Sequence, residues 1–366
     1  MPQKISPPTL RDIAEEVGVT ASTVSAVLNN APKSLRYTEA TKARIRETAA
    51  RLGYTSNPLA QALRGQSPRL LGFISYNVDS TYYGHILNAI ENAAQAHDYQ
   101  VVMANMQRSR ERLEPCVQMM LRWRVRGILL GTIGNAMGEP LRRVLEGIPV
   151  PMVNLGSPEA EAPLHCINFD NRAAGRVVAE HLLQLGHQRA VMLIGSRNLS
   201  YFDERSSAFK ETFEAKSSTA KRHVEVVEVP APCDFAAAYA TVRALVAGGA
   251  RFTALVGAND PLSIGGMRAL LDCGIDVPGA VSMAGVDDVP LASGGGEGTR
   301  VAAYLKPSMT AVRVPVATIA RTGVEQLISM LESPETPQKL ESPASILIPP
   351  ELIVRESTAS VVTASA

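Results

Sequence analysis

The chain has 366 residues, 46% of them apolar and 19% charged, with a formal net charge of +1. That length exceeds one ordinary core and fits two or three compact units of a globular protein. No apolar run approaches the roughly 18 residues that cross a bilayer. The opening MPQKISPPTLRDIAEE carries no signal-peptide core, so a cytosolic location is expected.

The charge is unevenly spread. Residues 1–69 hold ten Lys/Arg against five Asp/Glu, and the remainder holds 26 against 30. A basic head on an acidic body predicts that the head meets a polyanion. Cys116, Cys166, Cys233 and Cys273 lie far apart with no CxxC pair, which reads as buried reduced thiols. The histidines show no HExxH spacing, so no metal and no cofactor are expected.

In residues 9–29, TLRDIAEEVGVTASTVSAVLN, Thr9 and Asp12 are spaced as a capping box. Leu10, Ile13, Ala14 and Val17 recur at helical spacing. Gly18 permits a tight turn. Thr20 caps a second helix that buries Val24, Val27 and Leu28. Small Ala14, Gly18 four residues on and Val24 six further make a helix-turn-helix pattern. The opposite face of the second helix, Ala21, Ser22, Ser25, Ala26 and Asn29, is free to enter a major groove. Residues 30–37, NAPKSLRY, read as a loop. Thr38 then caps a third helix with Ala40, Ile45, Ala49 and Leu52 inward, Gly53 as its stop, and Lys42, Arg44, Arg46 and Arg51 outside. Residues 57–65, NPLAQALRG, spell a two-turn helix with Asn57 as cap, Pro58 in its first turn and Gly65 past its end. So short a helix is marginal alone, which predicts a linker that folds only when held.

From Leu70 onward strands and helices alternate. Strands are predicted at 70–74, 99–105, 127–131, 150–155, 166–170, 190–195, 224–229, 254–259 and 281–286, and helices after most of them, including 172–185, 204–215, 235–247 and 261–273. This implies two parallel sheets with helices on both faces. The chain is expected to cross between lobes near Asp170 and back near 300–305, with a helix over 310–332 in the first lobe and a strand over 346–354 in the second. The glycine-rich GGGEG at 294–298 lacks the Lys-Ser/Thr of a phosphate loop and reads as a surface loop. The last residues, STASVVTASA, show no heptad pattern.

The strings TLRDIAEEVGV, TASTVSAVLN and ARLGYTSNPLAQALRG resemble the lactose-repressor/galactose-repressor (LacI-type) family of transcriptional regulators. The resemblance continues, more loosely, through STYYGHIL, INFDNRAAGRVVAEHLLQLGH, ERSSAF, VGANDPLSIGGMRAL, AGVDD and LKPSMTAVRVPV, and so covers nearly the whole chain. It implies an α/β fold class: an N-terminal all-α helix-turn-helix head plus a two-lobed periplasmic-binding-protein-like core of parallel sheets. The expected division is 1–56 for the head, 57–69 for the hinge helix and linker, and 70–366 for the core. Within the core, lobe 1 is expected at about 70–169 and 303–332, and lobe 2 at about 170–302 and 333–356.

In that family the hinge segments of two subunits press a leucine from each into the minor groove, which unstacks a base step. The matching residue is Leu63, with Asn57 and Ala60 beside it. Thr20, Thr23, Ser25 and Asn29 match positions that mostly contact phosphates, and Ala21, Ser22 and Ala26 match base-reading positions. Thr9 and Tyr54 complete the implied DNA set. The chain departs from the family at Ala26, where arginine is common. Alanine can meet only a thymine methyl, so weak base readout is expected there. About three extra residues also enlarge the 30–37 loop.

Family effector contacts fall on Tyr82, Asp170, Arg205, Asn259 and Asp287. Asp, Asn and Arg suit vicinal hydroxyls or a base edge, and tyrosine offers a flat face. Asp170 and Asn259 also read as helix caps, and Asp288 as structural. Gly156 replaces a polar contact that relatives often have. The implied function is a ligand-responsive regulator, commonly a repressor, that binds a pseudo-palindromic operator as a homodimer. A sugar is the leading effector and a nucleobase or nucleoside the second. The alternative is a cytosolic sugar-binding protein without DNA regulation. No GxSxG, paired carboxylate motif or metal cluster points to an enzyme.

Overall fold

The structure is a computed structural model that describes residues 8–28, 32–54, 68–79, 81–131, 137–156, 164–197, 199–215, 222–291, 299–332 and 345–361. The chain divides into two units, Met1–Pro68 and Arg69–Ala366.

Among its described residues the first unit holds three α-helices, α1 (Leu10–Val17), α2 (Ala21–Leu28) and α3 (Glu39–Leu52). The capping box predicted at Thr9 is present, with the Thr9 amide donating to Asp12 at 2.6 Å and the Asp12 amide donating to Thr9 Oγ1 at 3.4 Å. Gly18 takes φ +75°, a left-handed conformation that a side chain would strain, and there the chain turns from α1 into α2. Ile13, Ala14, Val17, Val24, Val27, Ile45 and Ala49 form the core. Ala40, expected on the inner stripe, is exposed instead, because the first turn of α3 runs past the end of that small core. Pro32–Arg36, read from sequence as loop, forms a short 3-10 helix. The predicted hinge helix at 57–65 lies outside the described residues.

The second unit holds two six-stranded sheets. The first has the order β11-β5-β4-β3-β1-β2, all parallel, from β1 (Leu70–Ser75), β2 (Gln100–Asn105), β3 (Gly127–Gly131), β4 (Met152–Asn154), β5 (His165–Phe169) and β11 (Ser345–Ile348). The second has the order β12-β10-β9-β8-β6-β7, from β6 (Arg189–Ile194), β7 (His223–Glu228), β8 (Ala254–Gly257), β9 (Ser282–Asp287), β10 (Thr310–Arg313) and β12 (Glu351–Ile353). Only β12 there runs antiparallel. The central strands read as unbroken apolar runs because helices cover both faces; β3 is buried along its whole length.

Three of these helices position the cleft residues. They are α4 (Thr81–Gln95) in the first lobe and α7 (Asn171–Gln184) and α8 (Ser200–Ala215) in the second, with α10 (Asp260–Asp272) beside them; α5 (Leu113–Arg122), α6 (Glu139–Gly147) and α9 (Phe235–Ala247) complete the layers. Two later elements differ from expectation. The stretch predicted as one helix over 310–332 is β10 in the second sheet followed by α12 (Val316–Glu332), which packs on α4 in the first lobe; α11 (Val301–Tyr304) precedes it. Pro315 is the break, since a proline inside a helix removes an amide and clashes with the preceding turn. The predicted strand 346–354 is likewise two strands in different sheets, split at Pro349–Pro350. The chain therefore crosses between lobes at Asp170, at Val314–Pro315 and at Pro349–Pro350, and not near 300–305.

The four cysteines are free, but only Cys116 and Cys166 are buried. No helix among the described residues is long and apolar enough to cross a membrane.

Candidate functional sites

In the first unit the outer face of α2 carries exposed Ser22 with Ala21, Ser25 and Ala26 half-buried beside it. Thr20 caps the helix, accepting from the Thr23 amide at 3.2 Å and sharing a 2.7 Å hydrogen bond with Ser22 Oγ. Thr23 is turned inward. Its side chain is buried, and its hydroxyl donates to Tyr37 at 3.3 Å. It braces α2 against the following segment, which departs from the expected phosphate contact. Tyr54 is half-buried against the same core, and Thr9 is spent on its cap. The basic residues of α3 are partly engaged inside the unit: Lys42 pairs with Glu39 at 2.8 Å, Arg44 donates to the Val17 carbonyl at 3.3 Å, and Arg51 pairs with Glu16. Asn29, Asn57, Ala60 and Leu63 lie outside the described residues.

Of the five expected effector residues in the second unit, Arg205 and Asp287 are directly paired. Arg205 sits in the second turn of α8 with 5% exposure. Its Nε donates to Asn171 Oδ1 at 2.9 Å, and one terminal nitrogen donates to the Ala258 carbonyl at 2.5 Å and to Asp287 Oδ1 at 3.0 Å. Its carbon lies 5.1 Å from the centre of the Tyr201 ring and 5.7 Å from that of Phe169. Gly175 makes this possible, because a Cβ there would sit 2.1 Å from the Arg205 carbonyl oxygen and force α7 and α8 apart. Arg205 is thus fixed at the carboxyl ends of β5, β8 and β9, the place where open α/β sheets take ligands.

Asp170 and Asn259 contribute through their neighbours. Each caps a helix, Asp170 accepting from the Ala173 amide at 2.7 Å and Asn259 from the Leu262 amide at 3.0 Å. The cap readings therefore describe the structure. Yet Asn171 follows one cap, Ala258 precedes the other, and both hold Arg205.

Tyr82 stands in the first turn of α4, on the other lobe, with its ring edge-on to Tyr83 at 5.8 Å. Burial, reinforced by the charge of Asp287, holds its phenol neutral well above the ordinary range. Tyr201 is raised in the same way by burial, and Arg205 partly offsets the rise. The cleft thus sets tyrosines of both lobes around one ion pair.

The neighbouring acids differ sharply. Burial raises the Asp287 carboxyl, against the pull of Arg205. Asp260 is pushed up to about 8, by burial first and then by the Asp287 charge. It accepts from the Asp288 amide at 3.1 Å and the Val289 amide at 3.0 Å, tying the ends of β8 and β9 together. Asp288 is fully buried and turned away from the cleft. It accepts from Arg313 at 2.7 Å and from Arg355 at 3.1 Å, and its carbonyl accepts from Arg300.

Sequence reasoning missed Asn171, Tyr201 and Asp260. Tyr201 was lost because α8 begins at Ser200 and not at 204. Asp260 looked like part of a cap. Phe235, half exposed at the start of α9, follows the loop that leaves β7 on the cleft side and was also missed. Gly156 is buried and brings no polar side chain.

Residues 9–57 match the family described as bacterial regulatory proteins, lacI family, and residues 179–358 match the periplasmic binding protein-like domain. The chain is 26% identical over 332 residues to the HTH-type transcriptional regulator GalR of Escherichia coli K12, covering 90% of this chain and 91% of that one. It is 26% identical over 354 residues to the ribose operon repressor of Halalkalibacterium halodurans, covering 96% and 97%. A crystal structure of the lac repressor dimer bound to operator and the anti-inducer ONPF superposes with a TM-score of 0.81 at 25% identity, covering 97% of this chain and all of that one.

Proposed function

Because the chain belongs to the lacI family of bacterial regulatory proteins and is a DNA-binding transcriptional regulator, not an enzyme, we propose that it is a repressor of carbohydrate-related genes. In this reading it binds a pseudo-palindromic operator as a homodimer and is switched by a small polar effector. The observation that carries the effector half is the pair of buried Arg205 and half-buried Asp287, with tyrosines of both lobes around it. A guanidinium and a carboxylate held at 3.0 Å offer a fork of donors and acceptors to vicinal hydroxyls, and the tyrosines offer flat faces to ring carbons. A sugar suits this set best, and a nucleobase or nucleoside is the second candidate.

The DNA half rests on α2. Ala21, Ser22 and Ala26 are proposed to face base edges, with Thr20 and Ser25 on phosphate. Coupling follows from linkage: an effector that prefers one arrangement of the two lobes shifts DNA affinity by its difference in affinity for the two arrangements. Residues 55–68, including Leu63, join the units and are proposed to carry that signal.

Two measurements test the proposal. Selection from a random duplex library is expected to return a two-fold site, and a thermal-shift panel of sugars, sugar phosphates, nucleobases and nucleosides is expected to return a hit. A ligand at one hundred times its Kd adds about 2.7 kcal/mol. Failure to enrich any duplex would remove the DNA half; a hit confined to nucleosides would replace the sugar.

A further inference from the structure

We propose that the linker end of the first sheet carries a second DNA contact, a basic edge at Arg122, Trp123 and Arg124 that grips backbone phosphates of the duplex held by the head. The inference rests on the DNA-binding reading above.

The parallel register sets the place. Leu70 of β1 lies opposite Gln100 of β2, and Leu71 lies opposite Gly127 of β3, so the amino ends of these strands share one edge with Arg69, where the linker joins. Arg69 and Arg126 flank Tyr99, their guanidinium carbons 4.8 and 5.8 Å from its ring centre, and Arg126 also donates to the Tyr99 hydroxyl at 3.0 Å. The Arg126 amide donates to the Leu70 carbonyl at 2.8 Å. The stretch Arg122–Trp123–Arg124 therefore stands directly beside the chain entry.

All three side chains point to solvent. Trp123, the only tryptophan of the chain, is 59% exposed. Among the described residues neither Arg122 nor Arg124 enters an ion pair, whereas Arg142 and Arg143 on α6 are matched to Glu139 and Glu146. Arg122 in the last turn of α5 suits the helix end, but that does not explain Arg124 or Trp123. Arg124 takes φ +55°, a conformation that favours glycine or asparagine. The acids toward this edge are Asp98, in the turn before Tyr99, and Glu332, at the end of the helix whose Leu327 packs on Gly127.

The body as a whole is acidic, with 26 bases against 30 acids, so a local basic edge is not background. Exposed guanidinium groups beside an indole fit a polyanion with sugar faces, and duplex DNA is the polyanion that the family already supplies. The 14 residues 55–68 reach at most about 50 Å when extended, so a duplex held by the head stays at high local concentration around this edge.

The test uses the full chain and the duplex selected by it. Each phosphate contact contributes about 0.9 to the slope of log affinity against log salt, so Arg122→Ala with Arg124→Ala, which removes both arginines from each subunit of the homodimer, is expected to make that slope shallower by about 3.6. The thermal shift with the effector is expected to stay unchanged. In the wild type, the duplex is expected to shield Trp123 from acrylamide quenching. Equal salt slopes, or quenching unaffected by duplex, would overturn the inference while leaving the regulator reading intact. So would shielding already complete without DNA, or shielding that grows with protein concentration alone; the first assigns the edge to the chain's own linker and the second to another copy. A wild type that binds no duplex would overturn both readings.

Discussion

The reading face of α2 and the cleft around Arg205 solve the same recognition problem in opposite ways. On α2 the candidate base contacts are small, neutral and outward, and the helix is held by other residues: the Thr20 cap, the Thr23–Tyr37 bond and the core of Val24 and Val27. In the cleft the candidate contacts are also the struts. Arg205 binds α7, the end of β8 and the end of β9 at once, and Asp287 is its counter-charge. Specificity on α2 is therefore separable from stability, whereas in the cleft the two are joined.

The strongest attempt to break this contrast is Arg205→Ala. Removing one member of a buried pair costs about 3–5 kcal/mol because the partner charge is left uncompensated. For a body of this size, a fall of roughly 10 °C in the Tm of the second unit's transition is expected, together with loss of the effector response. A stable but unresponsive variant would show that Arg205 is a contact without being a strut. Next in size is a pH effect at Asp260. Its folded pKa lies near 8, far above that of an unfolded aspartate, so the stabilisation by its proton is complete at low pH and lost as pH rises through about 8. Wild-type Tm is expected to fall across that window relative to Asp260→Asn, by several degrees. Parallel curves would place the proton elsewhere.

Smaller effects are expected in the first unit. Thr9→Ala removes a capping box and should cost about 1 kcal/mol in urea unfolding. Its operator affinity, compared at a temperature where both forms are folded, separates the cap from any DNA contact. Smallest in stability is Ala26→Arg, a half-exposed site where a change within about 0.5 kcal/mol is expected. Its readout is the selected operator, which should acquire a preferred guanine worth about 1–3 kcal/mol of discrimination. An unchanged site would mean that Ala26 faces no base.

The alternation of strands and helices was legible because buried parallel strands are short apolar runs between amphipathic helices. Two elements were not. Thr310–Arg313 merged with the helix that follows it, and Ser345–Ile348 merged with Glu351–Ile353. In each case the break is a proline, Pro315 or the pair Pro349–Pro350, inside a stretch whose hydrophobic pattern continues across it. Which sheet a strand joins is set by partners distant in sequence, and no local pattern states that. Arg205 was legible as an isolated arginine where a sheet should end. Asn171 and Asp260 were not, because residues next to helix caps look like more of the cap.

The three crossings between lobes have a mechanical consequence. The Asp170 amide donates to the Ile348 carbonyl at 3.0 Å, so the first and third crossings are stitched together, and proline stiffens the second and third. Three short connections of this kind resist both sliding and separation of the lobes. What survives is close to a single rotational degree of freedom, a swivel about a line through the crossings. A ligand in the cleft would work on that swivel with leverage, since its proposed contacts at Arg205 and Tyr82 lie to one side of the line. Amino-acid changes at Pro315 or Pro349 would act on the compliance of the joint without touching either binding surface.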